Sequence, residues 1–586
     1  MLPNAVLIDK THALIVPNAV LIDKIPFRDD RKAFLAVPSG CRDAGRRVQE
    51  GEQAHGMYLL AIDLGTSVCK AAIFSAQGEL VRMEMEPVPL FLLPHGGAEQ
   101  NPRDWQQVIT RLVQRLTDSP PVPVEAIRAV VPSAQWSSTV AIDEAGEPLG
   151  NAILWMDTRG APYIHELIRG FPAFEGYSLR KLWTWVRLTG GAPGRAGKDP
   201  IAHILYLKHA QPERYRAAWK FLEPIDYLHC WLTGVVATSP EAITLHWLTD
   251  NRDLNRVDYH PTLVRWAGIE RAKLPDIRCG ERVLGRLRPA LAQEWGLSLQ
   301  TLVIVGAPDL HAAAIGSGGT RDFDPHLYIG TSAWLSCHVP FKKTDLLHNI
   351  ASLPAALPCR YFVANEQETA GMCLTFLRDH LLYAPDGLTG ESPPEVYARF
   401  DALASEVPPG SEGLIFTPWL YGERTPVEDH AIRGGFHHLS LHHRRAHLIR
   451  ATLEGVAFNL RWLLPYVERF AGRRFEQIRA IGGGAKSDLW CQILADVLNR
   501  PIAQMENPVA ATLRGAAILG VRALGQSREL AHPAESPMEV SRWAPVRQVF
   551  YPDPARARLY ASLFREFRAL YRATRPIHAR LSRYLR

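Results

Sequence analysis

Cysteine is scarce and unclustered in this 586-residue chain: eight residues lie scattered between Cys41 and Cys491, and no C-x-x-C pair occurs. That argues against a zinc site or a disulfide framework and fits a reducing, cytoplasmic setting. Long apolar runs are missing too. No stretch approaches the roughly 18 uninterrupted apolar residues of a membrane span, and Asp9, Lys10, His12 and Asp23 break any signal-peptide core at the start. Nor is there a chain-wide excess of one charge. The formal +6 is a property of residues 541–586, where eleven Arg face only Asp553 and Glu566; that surplus of nine leaves the preceding 540 residues at −3. A general nucleic-acid-binding composition is therefore not expected. Within the basic tail, Leu559, Tyr560, Leu563, Phe564, Phe567, Leu570 and Tyr571 recur at helical spacing. This predicts an amphipathic helix docked on the body with a solvated Arg face, in preference to an RNA- or membrane-binding arm.

What is present is the composition of a globular protein, 47% apolar and 22% charged, with length for two or three domains. "PNAVLIDK" stands at 3–10 and again at 17–24, too short and too few for a solenoid repeat. Residues 1–56 are expected to be an extension foreign to the rest of the chain, with the natural start at Met57. From there short apolar strands alternate with helical patterns, an α/β signature. "YLLAIDLGTSVCKAAIFS" (58–75) reads as two strands joined by a Gly-Thr-Ser turn, and "LYIGTSAWLSCHV" (327–339) repeats that pattern. Two copies of one hairpin predict a duplicated fold with a cleft between its halves.

A Gly-Thr-Ser turn brings backbone N–H groups and hydroxyls close to an anion. Asp63, just before the first turn, suits a phosphate site only where a cation such as Mg²⁺ intervenes. A single copy reads equally well as an ordinary β-turn; a second copy supplies donors from both walls of a cleft. "GGAPGRAGKDP" (190–200) superficially resembles a Walker loop, but Ala192 stands where the first glycine belongs and Asp199 where the Ser/Thr belongs. It is expected to be a flexible loop. Asp309 follows the strand "TLVIV" and a Gly-Ala-Pro turn, at a strand's C-terminal end where α/β proteins place ligands. It suits a general base for phosphoryl transfer, or a cap on the next helix. The glycines Gly482, Gly483 and Gly484 precede a helix starting near Ser487. The histidines His437, His438, His442, His443 and His447 lack a nearby carboxylate in sequence, so metal binding is not expected there.

With these pieces in order, the chain resembles the FGGY carbohydrate kinases, most nearly their xylulokinase-like branch, over about residues 58–575. "AIDLGTSVCKAAIFSAQGELV" and "YIGTSAWLS" are similar to the two phosphate motifs, and "GAPDLHAAAIGSG" to the segment carrying the catalytic base. "LYGERTPVEDHAIRGGFHHLSLHHRRAHLIRATLEGVAFNLR" resembles the long family signature and "IGGGAKSDLWCQILADVLNRP" the adenosine motif. The resemblance implies an α/β fold of two actin-like, ribonuclease-H-like ATPase domains with an inter-domain cleft. The expected segments are 57–305 (sugar and phosphate), 306–540 (nucleotide) and a 541–586 tail. It implies Asp309 as general base and Asp63 beside Mg²⁺. Gly65, Thr66, Ser67, Lys70, Gly330 and Thr331 are implied on the ATP phosphates, with Gly483, Gly484, Ala485 and Ser487 at the adenosine. Gln135, Trp136, Ser137, Asp157 and Arg159 are implied at the sugar. The implied partners are ATP and a small-molecule sugar, with no nucleic acid and no membrane; a homodimer is compatible.

Two departures touch the sugar site: Trp136-Ser137-Ser138 stands where xylulokinases usually have Met-His-Gly, and His311 replaces an Asn or Gln. D-Xylulose, giving D-xylulose 5-phosphate, is the leading expectation, with other pentuloses, pentitols and hexuloses behind. A non-catalytic, actin-like nucleotide sensor is the rival from another class.

Overall fold

Strand β1 (Tyr58–Leu64) is a run of apolar residues buried on both faces, as expected for a central strand with a parallel neighbour. It pairs antiparallel with β2 (Val68–Ser75), which pairs with the more exposed β3 (Leu80–Pro87). On its other side β1 lies parallel to β4 (Ile127–Ala134). With β5 (Val283–Arg286) and β6 (Leu302–Ile304) the first sheet runs β5-β6-β4-β1-β2-β3. A second sheet repeats the plan. The hairpin of β7 (His326–Ile329) and β8 (Ala333–Ser336) is flanked by a parallel strand, β9 (Ile478–Ile481), then by β10 (Ile502–Met505) and β11 (Val546–Phe550), in the order β8-β7-β9-β10-β11.

These assignments come from a computed structural model describing residues 56–278, 282–525 and 542–584, which belong to one compact unit. The octapeptide repeat and the expected extension lie outside the described residues.

Helices cover the sheets. α1 (Pro102–Thr117) starts with Asn101, whose side chain accepts from the Arg103 N–H, and buries Trp105, Val108, Ile109 and Leu112 on one stripe against the first sheet. Between Pro200 and Thr233 lie α2 (Pro200–Ala210) and α3 (Pro224–Thr233), separated by a short helix and by a strand, Lys220–Leu222, that pairs with Val140–Ile142. α4 (Asp309–Gly316) is the small-residue helix after β6. In the second half, α5 (Arg445–Ala471) is the central core helix, α6 (Asp488–Leu498) comes after the triple glycine, and α7 (Ala511–Ala523) after β10.

Late segments of the chain also pack on the first sheet, across the expected 305/306 boundary. Ala307–Pro308 pairs with β4 of the first sheet. α7, late in the chain, packs its Leu513, Ala516 and Ala517 with Leu59 and Ala61 of β1 and Val131 of β4. Gly316 of α4 and Gly515 of α7 meet backbone to backbone, leaving no room for a side chain on either.

The basic tail does not stand apart. β11 pairs antiparallel with β10, and α8 (Pro554–Leu581) buries Tyr560, Phe567 and Tyr571 in the core of the second half. Phe567 lies 5.2 Å from Trp419, and Tyr571 4.9 Å from Trp462. The Tyr560 hydroxyl donates to Glu454 at 2.7 Å, which is itself paired with Arg450. The aromatic stripe is thus a docking face. Among the described residues no helix is long and apolar enough to cross a membrane.

Candidate active site

Both hairpins end at one cleft of about 480 Å³. Gly65, Thr66, Ser67 and Lys70 line it from the first sheet, Gly330 and Thr331 from the second, and Asp309 lies between them at the start of α4.

Register fixes the first wall. Asp63 and Lys70 are direct cross-strand partners in β1 and β2, and Lys70 Nζ sits 2.6 Å from Asp63 Oδ2. Burial alone would depress the Lys70 ammonium, but the adjoining Asp63 carboxylate outweighs it and holds the group above its ordinary value. Asp309 is half-buried, its Oδ1 accepting from the Leu310 N–H at 2.9 Å. Burial and, after it, the charge of Asp63 push its carboxyl up to about 8, against the opposing pull of that amide and of Lys70. It is the first residue of the helix, with Pro308 at the cap position and no side-chain cap, so the reading of Asp309 as a cap does not hold; its side chain lines the cleft instead.

The two Gly-Thr-Ser turns are used differently. In the first, the Thr66 hydroxyl donates to Gln135 Oε1 (2.8 Å) and accepts from Trp155 Nε1 (3.0 Å), so it is committed to the neighbouring loop. Ser67 is the exposed hydroxyl. In the second, Thr331 is exposed and Ser332 buried.

The loop after β4 forms the next wall. Gln135 is held by Thr66 and by Gln100 (2.8 Å). The Trp136 indole N–H donates to the Ala242 carbonyl at 2.8 Å, leaving the ring only 6% exposed, so its broad face is not offered to the cleft. Its edge meets the ring of His311, a buried residue behind the wall. Ser137 takes φ = 63°, a left-handed conformation uncommon outside glycine, and its hydroxyl reaches the Lys198 carbonyl at 3.3 Å.

Several expected contacts are not brought to this cleft. Asp157 and Arg159 are absent from its lining; they form a buried ion triad with Glu99, at 2.6 Å and 2.5 Å from Arg159 Nη2. Asp157 also accepts the Ala98 N–H, so its role here is to anchor the backbone beside Trp155 and Met156, which do line the cleft. Gly483, Gly484, Ala485 and Ser487 lie outside the lining as well. Gly484 is required by contact with Ile329 and Trp490, Ala485 is fully buried, and the Ser487 hydroxyl caps α6 by accepting the Trp490 N–H. Of these four, only Gly483 has open space where a side chain would stand.

The pseudo-Walker segment, expected to be a flexible loop, is instead part of the cleft wall. Lys198 Nζ crosses to both Glu368 oxygens at 3.0 Å, and Arg424 joins Glu366 (2.8 Å) to Glu368 (3.3 Å). Sequence reasoning missed this cluster. A Glu-x-Glu pair after the strand Tyr361–Ala364 was the available signal. The histidines at 437–447 are engaged otherwise: His447 Nε2 lies 3.4 Å from Glu412, a carboxylate close in space that the sequence did not place there, and His443 Nδ1 accepts the Ser440 N–H.

Among the described residues no group of three or more His, Cys, Asp or Glu side chains is placed to hold a metal ion. A divalent cation arriving with phosphate oxygens needs only one or two carboxylates, and the interacting pair Asp63 and Asp309 fits that need.

Comparison with known proteins agrees with this geometry. The model of the N-terminal domain of the FGGY family of carbohydrate kinases matches residues 58–316, and that of its C-terminal domain residues 329–524. A xylulose kinase of Bacillus subtilis (strain 168) is 27% identical over 541 residues, covering 90% of this chain and 99% of the relative. Solved structures of a gluconate kinase and a ligand-bound xylulose kinase, both from Lactobacillus acidophilus, superpose with TM-scores of 0.74 and 0.73 at 25% identity. They cover 89% and 88% of this chain and 99% and 98% of theirs. Two similar hairpins around one half-buried acid, and two domain models matched in succession, lead to one conclusion: the chain belongs to the FGGY family of carbohydrate kinases, a phosphotransferase of two-domain α/β fold.

Proposed function

We propose that this sugar kinase transfers the γ-phosphate of ATP to a hydroxyl of a neutral ketose or polyol, with D-xylulose as the first acceptor to test and other pentuloses, pentitols and hexuloses next. The observation that carries the reading is the place of Asp309, between two phosphate-gripping turns and beside a wall of polar and aromatic side chains. In its ionised form Asp309 takes the proton of the attacking hydroxyl. Ser67, Thr331, Lys70 and the amides of both turns stabilise charge on the transferring group, where most of the rate gain in phosphoryl transfer arises. Asp63 is the residue that would hold Mg²⁺, which supplies charge neutralisation on the phosphates when bound.

Charge balance favours a neutral acceptor over an aldonate such as gluconate. The lining Lys and Arg are already matched: Lys70 by Asp63, Lys198 by Glu368 and Arg424 by Glu366. A carboxylate entering here would face Asp199, Asp309 and Glu428 with no lining Lys or Arg unpaired among the described residues.

The test is ADP release measured with a panel of ketoses, polyols and gluconate. A kcat/KM for D-xylulose at least tenfold above that for gluconate is expected. Preference for gluconate overturns the neutral-acceptor reading, and background ADP release with every acceptor overturns the kinase mechanism.

A further inference from the structure

Behind the loop at residues 135–139 lies a fully buried carboxyl with no part in the phosphoryl-transfer chemistry. The strand Lys220–Leu222 pairs with Val140–Ile142 so that Leu222 stands opposite Val140. The next residue, Glu223, is thereby delivered to the point where the loop ends. Its side chain is 0% exposed. Oε2 accepts the Ser138 N–H at 3.1 Å, and the Ser137 amide also favours its charged form. Oε1 has no hydrogen-bond partner and lies 3.6 Å from Nδ1 of His246, whose two ring nitrogens are unpartnered and buried.

A buried carboxyl with one oxygen unsatisfied is costly, and a non-glycine residue at positive φ is strained. Here the two occur one residue apart, at Ser137 and the amide of Ser138. The same turn presents Trp136 and Ser137 to the cleft.

We propose that Glu223 is a positioning residue for the acceptor site: by gripping the Ser138 amide it holds the strained turn at Ser137, and through that turn it sets the affinity for the sugar but not for ATP. This rests on the reading of residues 135–138 as the acceptor wall. Burial first, and the carboxylates of Asp226 and Asp199 after it, hold the Glu223 carboxyl well above the usual range. Burial likewise pushes His246 down to about 3. The grip is accordingly that of a neutral carbonyl oxygen, which glutamine reproduces.

The experiment is initial-rate kinetics on the full chain with D-xylulose and ATP as probes, comparing wild type with Glu223→Leu, Glu223→Gln and Glu223→Asp. Loss of the amide contact in Glu223→Leu is expected to raise the KM for D-xylulose about tenfold, with the ATP KM within about twofold and kcat within about threefold. Glu223→Gln should return the sugar KM to within about threefold of wild type. If Glu223→Leu does not fold, Glu223→Asp, which withdraws the acceptor by one methylene, is read by the same split. An unchanged sugar KM in the variant that folds overturns the proposal. So does an equal rise in both KM values, or a glutamine variant as impaired as leucine. Wild type inactive on D-xylulose but active on another acceptor of the panel counts against the sugar assignment alone, and the variants are then compared with that acceptor. Wild type inactive with every acceptor overturns both.

Discussion

Gly-Thr-Ser is written twice in this chain and folded two ways. In the first hairpin Gly65 N–H donates to the Val68 carbonyl, so Thr66 and Ser67 both lie in the turn; in the second, Gly330 N–H donates to Ser332, and Thr331 alone caps the bend. That one-residue difference in register changes every position before and after it. Asp63 faces Lys70 across the first hairpin, an ion pair at the cleft floor. Tyr328 faces Trp334 across the second, the rings stacked at 3.9 Å and 4°. One copy has become electrostatic, the other aromatic. A repeated tripeptide therefore specifies where backbone amides gather, while pairing partners decide which hydroxyl is free and what lies beneath it.

The comparison can be tested at the residue between the copies. Asp309→Asn should leave the ATP affinity within a few-fold and lower kcat by two to four powers of ten; near-normal turnover would remove the base from between the hairpins. Because the base must be ionised, and its carboxyl lies at about 8, kcat/KM should fall about tenfold per pH unit as pH drops below that value. An acid limb near 4 would show that the surroundings, burial first and the charge of Asp63 after it, do not raise Asp309. Next in size come the exposed hydroxyls: Ser67→Ala and Thr331→Val should each lower kcat/KM for ATP by roughly 10- to 100-fold, the loss typical of a bond to a charged group. A large effect in only one would break the functional equivalence of the two turns. The smallest effect sharpens the contrast. Thr66→Val should raise the sugar KM by roughly three- to tenfold and leave the ATP KM within about twofold, because that hydroxyl serves Gln135 and Trp155. A rise in the ATP KM instead would mean that Thr66 and Thr331 do the same work.

Both hairpins, the place of Asp309 and the docked aromatic stripe of the tail were legible because each depends on local pattern: strand alternation, glycine turns, helical spacing. What depended on distant partners was not. Lys198 meets Glu368 across 170 residues, and its own segment reads as a failed phosphate loop. Asp157 and Arg159 carry the charges of a ligand site, but nothing nearby in sequence reveals that Glu99 neutralises them inside the protein. The glycines at 482–484 suggest a nucleotide, whereas Gly484 answers first to packing against Ile329. Glu223 carries no signal in sequence beyond standing before a proline, and only strand pairing brings it under the Ser138 amide. The packing of α7 on the first sheet was not legible either, for the same reason: Leu513, Ala516 and Ala517 meet Leu59, Ala61 and Val131 far back in the chain.

That return has a mechanical consequence. α4 and α7 touch through bare backbone at Gly316 and Gly515, a close seam between the early and late parts of the chain. A rigid body turning about such a seam has its fulcrum there, and displacement grows with distance from it. Asp309 begins the very helix that forms the fulcrum, and Trp334 and Tyr328 of the second hairpin pack in one cluster with Ala313 and Leu310 of that helix. The acid and the second turn would therefore travel as one piece, and it is the first hairpin whose distance from the acid such a rotation would change.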